Sequence, residues 1–163
     1  RALLLAQRTG GPVTFVATAE NRDDEMAERI RLHQAERPED WATVEAPHDL
    51  APVVTTLGEG DVAILDCLSL WVANLLERGD TADQIEAAAR EVARACAEGA
   101  ATWIVVTNEV GLGLVPMHPL GRDYRDRLGR VNSIFSGHAQ TALLMVAGRA
   151  LPLGDHNDHL TTN

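Results

Sequence analysis

The stretch Asp23–Trp41, DDEMAERIRLHQAERPEDW, carries the residue types best suited to chemistry in this chain. His33 stands four positions from Arg29 and four from Arg37, so two guanidiniums flank one imidazole if a helix runs that far. A neutral imidazole between fixed cations, just ahead of a chain reversal at Pro38, suits a nucleophile directed at a phosphate. Met26, Ile30 and His33 also recur at helical spacing. On those residues alone, the preferred reading is a structural histidine that completes an apolar stripe.

A carboxylate comes next. Asp66 closes the run VAILD, the form of strand whose terminal acid helps hold Mg²⁺ against nucleotide phosphates. The competing reading makes Asp66 the N-cap of the following helix, with Ser69 as a rival for that role. Asn108, Glu109, Gly111 and Gly113 lie in TNEVGLGLVP, where no Lys-Ser/Thr pair follows the glycines. A structural strand-to-helix turn is therefore preferred there over a phosphate loop. In GRDYRDRLGRVN, Arg122, Arg125, Arg127 and Arg130 interleave with Asp123 and Asp126, the pattern of a solvated, salt-bridged face. Arg130 and Asn132 are the two of that segment that could turn toward a ligand. His138, His156 and His159 lack metal-ligand spacing, and DHNDH reads as a polar terminus.

Apolar patterning supplies the elements that must position these residues. RALLLAQR has helix formers but no cap, so it reads as a helix entered partway along, with the chain expected to continue upstream of Arg1. Val13–Thr18, Val62–Leu65, Trp103–Thr107 and Ala142–Val146 read as strands, and Thr43–Glu45 as a short extended piece. Helices are expected from Asp23, near Asp49–Leu57, over LSLWVANLLERG up to Gly79, over residues 81–98 with Thr81 as N-cap, and over Pro119–His138. The last of these sets Leu120, Tyr124, Leu128, Val131 and Phe135 on one face. Apolar strands alternating with helices predict an α/β fold with a largely parallel sheet flanked by helices. Ligands of such sheets bind past the carboxyl ends of the strands. Four segments fall there: Ala17–Thr18–Ala19, Asp66–Cys67, Asn108–Glu109 and the residues after Val146.

The chain has 163 residues, enough for one domain, expected over 1–153 with a polar, disordered tail at 154–163. Its formal net charge of −10 argues against binding nucleic acid or anionic membranes, which need basic surfaces. Cys67 and Cys96 form no CxxC pair, and reduced thiols in a cytoplasmic protein are expected. No apolar run spans a bilayer.

Taken in order, FVATAENRDDEMAERIRLHQAERPEDWATVEAP, AILDCLSLWVANLL, VVTNEVGLGLVP and YRDRLGRVN closely resemble one family. It is the bifunctional adenosylcobinamide kinase / adenosylcobinamide-phosphate guanylyltransferase family of cobalamin biosynthesis. The likeness runs from Arg1 to about Leu153. It implies a P-loop NTPase fold of RecA-like type, whose first strand and G-G-x-x-S-G-K-S phosphate loop would precede Arg1, that strand lying centrally in the sheet. It implies that His33 becomes guanylylated, and that Ala17, Thr18, Ala19, Gln34, Ala35, Glu36, Arg37, Glu45 and Asp66 contact the nucleotide. Asp66 would also hold Mg²⁺. The implied substrates are GTP, ATP and adenosylcobinamide, and the implied assembly is a homotrimer. Two further readings stand beside the bifunctional enzyme: a guanylyltransferase alone, and a non-catalytic relative that keeps the fold.

Overall fold

The computed structural model of the chain describes residues 2–154. His156, His159 and the rest of the expected tail at 155–163 lie outside the described residues. Six helices and six strands follow in the order α1 (Ala2–Thr9), β1 (Val13–Ala17), α2 (Asp24–Ala35), β2 (Ala42–Glu45), α3 (Ala51–Val54), β3 (Val62–Asp66), α4 (Leu68–Arg78), α5 (Ala82–Glu98), β4 (Thr102–Val106), α6 (Pro119–His138), β5 (Ala142–Val146) and β6 (Arg149–Leu153).

Strands β2-β1-β3-β4 form one sheet in that order, every pair parallel. Strand β3 reads VAIL through its interior and is buried on both faces, as a central parallel strand must be. Alternate side chains feed two cores. Val13, Phe15, Val62 and Ile64 pack with Ala6 of α1 on one face. Val16 and Leu65 point the other way, into a larger cluster with Trp71, Val72, Leu75, Ile85, Val92, Leu128 and Val131 of α4, α5 and α6. The helices that build this larger core end on clear local signals. Thr81 closes a capping box with Gln84 at the start of α5, and Gly79 takes φ 93° at the end of α4.

β3 pairs directly with β4 over five residues, so the backbone groups of the two strands satisfy each other, and β2 and β4 are the edges of this sheet. The expected last strand, β5, lies outside the parallel sheet. It pairs antiparallel with β6, a strand the sequence reading does not foresee. The turn joins the two: Ala147 and Gly148 both take positive φ, 49° and 74°, the geometry of a two-residue hairpin loop. On α6, Leu128, Val131 and Phe135 are buried as expected, but Leu120 is 61% exposed because the first turn projects past the core. No described helix is long and apolar enough to cross a membrane.

Candidate active site

Strand register places three of the expected site residues in one row. Ala17 is paired with Glu45 on one side and Asp66 on the other, at the carboxyl ends of β2, β1 and β3. Neighbouring strands lie about 4.8 Å apart, so the two carboxylates flank a small residue rather than each other.

Beneath this row the backbone is clamped. The Thr18 hydroxyl donates to Cys67 O at 2.8 Å and accepts from Cys67 N at 2.7 Å, and Thr18 N donates to Asp66 O at 3.1 Å. The peptide between Asp66 and Cys67 is cis. Asn74 reaches up from α4 and donates to Thr18 O at 2.8 Å and Pro47 O at 2.9 Å. Its own carbonyl oxygen accepts from Arg22 at 2.7 Å, and Arg22 is also paired with Glu20 and Glu77. Thr18, expected to contact a ligand, is thus fully buried, with its N–H, carbonyl and hydroxyl all engaged by protein. Ala19 is half-buried in the loop that follows.

Asp66 is not a helix cap. The N-cap of α4 is Cys67, without a side-chain cap bond, and Ser69 lies inside the helix with its hydroxyl directed at Cys67 Sγ, 3.2 Å away. Burial raises the pKa of the Asp66 carboxyl, while His33 and Arg37 act on it in the opposite sense. One aspartate at the end of β3 therefore lies within electrostatic reach of both residues from the segment after β1.

That segment differs from its sequence reading in two respects. Asp23 caps α2 through Met26 N at 2.7 Å, but the helix stops at Ala35, with Glu36 as C-cap. Arg37 therefore leaves the helix and does not flank His33 at one-turn spacing. Its N–H bonds to Gln34 O at 3.1 Å, and its guanidinium lies over the Phe15 ring, 3.4 Å from the centroid. Nη1 is 3.4 Å from Thr43 Oγ1, and Nε is buried with no hydrogen-bond partner. Burial lowers the pKa of this guanidinium, and Asp66 opposes the shift. The structural-histidine reading of His33 also fails: none of the side chains of α2 is buried, and His33 is exposed in its last turn. Gln34, Ala35 and Arg37 instead line a hollow of about 360 Å³ together with Pro38, Glu39, Trp41 and Thr43.

Other segments stay apart from this group. Asn132 is occupied in holding the loop after β4, accepting from Thr107 Oγ1 at 2.7 Å and donating to Asn108 O at 3.0 Å. Glu109 folds back onto Gly111 N at 2.6 Å, in line with a structural turn. Arg127 pairs with Asp123 at 2.9 Å and Arg130 with Glu86 at 3.3 Å, the salt-bridged face expected of α6. The hairpin after Val146 is outside the row. Among the described residues no three His, Cys, Asp or Glu side chains group to hold a metal. The sequence gives no site role to Asn74, Trp41 or Thr43. A polar residue held mid-helix among apolar ones, as Asn74 is, was the one available signal.

Fold and site together define an α/β protein of the parallel-sheet class, with its polar groups gathered past the strand ends. Residues 1–153 match the family described as cobinamide kinase / cobinamide phosphate guanyltransferase, and the chain belongs to that family. It is 35% identical over 150 residues to the bifunctional adenosylcobalamin biosynthesis protein CobP of Pseudomonas aeruginosa, covering 91% of this chain and 86% of that protein. Over 149 residues it is 36% identical to the bifunctional adenosylcobalamin biosynthesis protein CobU of Escherichia coli and 37% identical to that of Salmonella typhimurium, in each case 83% of this chain and 82% of the relative.

Proposed function

We propose that this chain phosphorylates adenosylcobinamide and transfers GMP from GTP to adenosylcobinamide phosphate, with His33 as the covalent carrier. The observation that carries the reading is that Asp66, at the end of β3, lies within electrostatic reach of both His33 and Arg37 from the segment after β1, with Arg37 seated on Phe15 of the strand between them. An exposed imidazole suits a group that must meet two large substrates in turn.

In the transfer, a ring nitrogen of His33 attacks the α-phosphorus of GTP. The new N–P bond forms as the bond to the bridging oxygen breaks, and pyrophosphate leaves with that electron pair. A phosphate oxygen of the corrinoid then attacks the same phosphorus, the N–P bond breaks, and its electrons return to the ring. One difficult displacement becomes two easier ones. Arg37, seated on Phe15 with Nε lacking a partner, supplies positive charge to the phosphates. Glu45 and the Gln34–Arg37 segment border the nucleotide, and Ala17, small and between two carboxylates, leaves room for it.

Asp66 fits a magnesium site. Burial disfavours its charged form, so a nearby cation is favourable, and Mg²⁺ ordinarily takes one or two carboxylates with substrate phosphates as its other partners. The ion would neutralise phosphate charge. The homotrimer implied by the resemblance is tested by light scattering.

The deciding experiment is intact mass before and after incubation with GTP and Mg²⁺. One GMP gained by the wild-type chain and none by His33→Ala is expected. An adduct that survives His33→Ala assigns the nucleophile elsewhere.

A further inference from the structure

The hollow beside Arg37 has an aromatic wall. Trp41 is half-buried against the cluster of Phe15, Val13 and Ile64, so its indole is anchored on the core. Its backbone N–H closes the turn onto Pro38 O at 3.2 Å, which fixes where the side chain leaves the chain. Arg37 presents a second flat group in the same wall, stacked on Phe15. Glu39 lines the hollow from the turn itself, with its side chain exposed to solvent.

The chemistry of that lining is specific. A volume of about 360 Å³ is near the lower bound for small-molecule pockets, suited to one planar group rather than a macrocycle. Aromatic and guanidinium planes are the usual stacking platforms for unpaired bases. A carboxylate in such a pocket accepts hydrogen bonds only, so it favours a base edge that presents donors. Guanine presents two adjacent donors, N1–H and the 2-amino group, whereas adenine presents an acceptor at N1.

We infer that this hollow is the base subsite, in which the Trp41 indole stacks on the purine and the Glu39 carboxylate selects guanine through its N1–H and 2-amino donors. The inference rests on the nucleotide reading given above and names the residues that set its base preference. The subsite is lined by the segment directly after His33, beginning with Gln34.

Equilibrium binding of GMP, IMP and AMP tests this without any covalent step. Intrinsic fluorescence and calorimetry serve as readouts on the wild-type chain and on Glu39→Gln, Trp41→Phe and Trp41→Ala. GMP is expected to bind about 10-fold or more tighter than IMP, which lacks the 2-amino group, and tighter still than AMP. Glu39→Gln should bring GMP and IMP to within about 3-fold of each other, while AMP changes little. Trp41→Phe should abolish fluorescence quenching by GMP yet keep calorimetric binding, and Trp41→Ala should weaken all three nucleotides about 10-fold. Equal affinity for GMP and IMP in the wild-type chain overturns the inference. So does discrimination that survives Glu39→Gln, or quenching that survives Trp41→Phe. A wild-type chain that discriminates as expected but gains no GMP from GTP leaves the subsite standing and removes the covalent role of His33.

Discussion

The clamp under the strand row and the segment above it are built in opposite ways. Thr18 and Asn74 are buried, Asp66 and Cys67 are half-buried, and the polar groups that join them are paired within the protein. His33, Gln34 and Glu36 are exposed, and Arg37 keeps a buried Nε without a partner. A satisfied buried network fixes geometry, because every alternative leaves a polar group unpaired. An unsatisfied rim does the reverse and leaves bonding capacity for something that arrives. Satisfied and unsatisfied polar groups thus sit on neighbouring but separate residues.

Substitutions break this contrast in graded fashion. Thr18→Val should cost the most stability, about 2–4 kcal/mol by denaturant titration, since it strands the N–H of Cys67 and takes from its carbonyl one of two hydrogen bonds, the other coming from Trp71 N. Thr18→Ser should recover most of that loss. Asn74→Ala should cost about 2–3 kcal/mol by releasing Thr18 O, Pro47 O and Arg22 together. A cost below about 1 kcal/mol for either would mean the clamp is not what holds the strand ends.

Asp66→Asn tests the boundary between the two regions. Burial makes the folded chain hold the Asp66 proton to higher pH than the unfolded chain does. In the window above the ordinary aspartate value the folded state binds more protons, so stability from this group falls as pH rises and is regained as pH drops. The Asn variant should therefore lose that slope and should melt no lower than wild type at neutral pH, while binding Mg²⁺-nucleotide more weakly. Loss of melting temperature without loss of nucleotide binding would return Asp66 to the clamp. The smallest stability change is expected for His33→Ala, within about 0.5 kcal/mol, as for exposed positions generally. Its whole effect should fall on the GMP adduct.

What the sequence made legible follows the same division. Helices α4, α5 and α6 begin and end on local chemistry, at Gly79, Thr81 and Pro119, and these were readable residue by residue. The central strands were readable because burial on both faces writes a continuous apolar run. The β5–β6 hairpin was not, because Ala147–Gly148 is a weak turn signal beside the Asn-Gly type. The side chain of Arg37 was misplaced for a related reason. Four-residue spacing implies a shared face only while the helix lasts, and α2 ends at Ala35. The role of Asn74 is not legible in the sequence, since its partners are carbonyls 56 and 27 positions away and no local pattern encodes such distances.

Helix α2 carries His33 yet buries none of its side chains. Its amides should exchange with deuterium at opening free energies well below those of α4, whose Leu68, Trp71, Val72 and Leu75 are locked in the core. On gentle warming, His33 would then lose its register before the sheet melts. The heat tolerance of the proposed GMP transfer should follow this one solvent-facing helix, and stabilising substitutions there should raise it without touching the core.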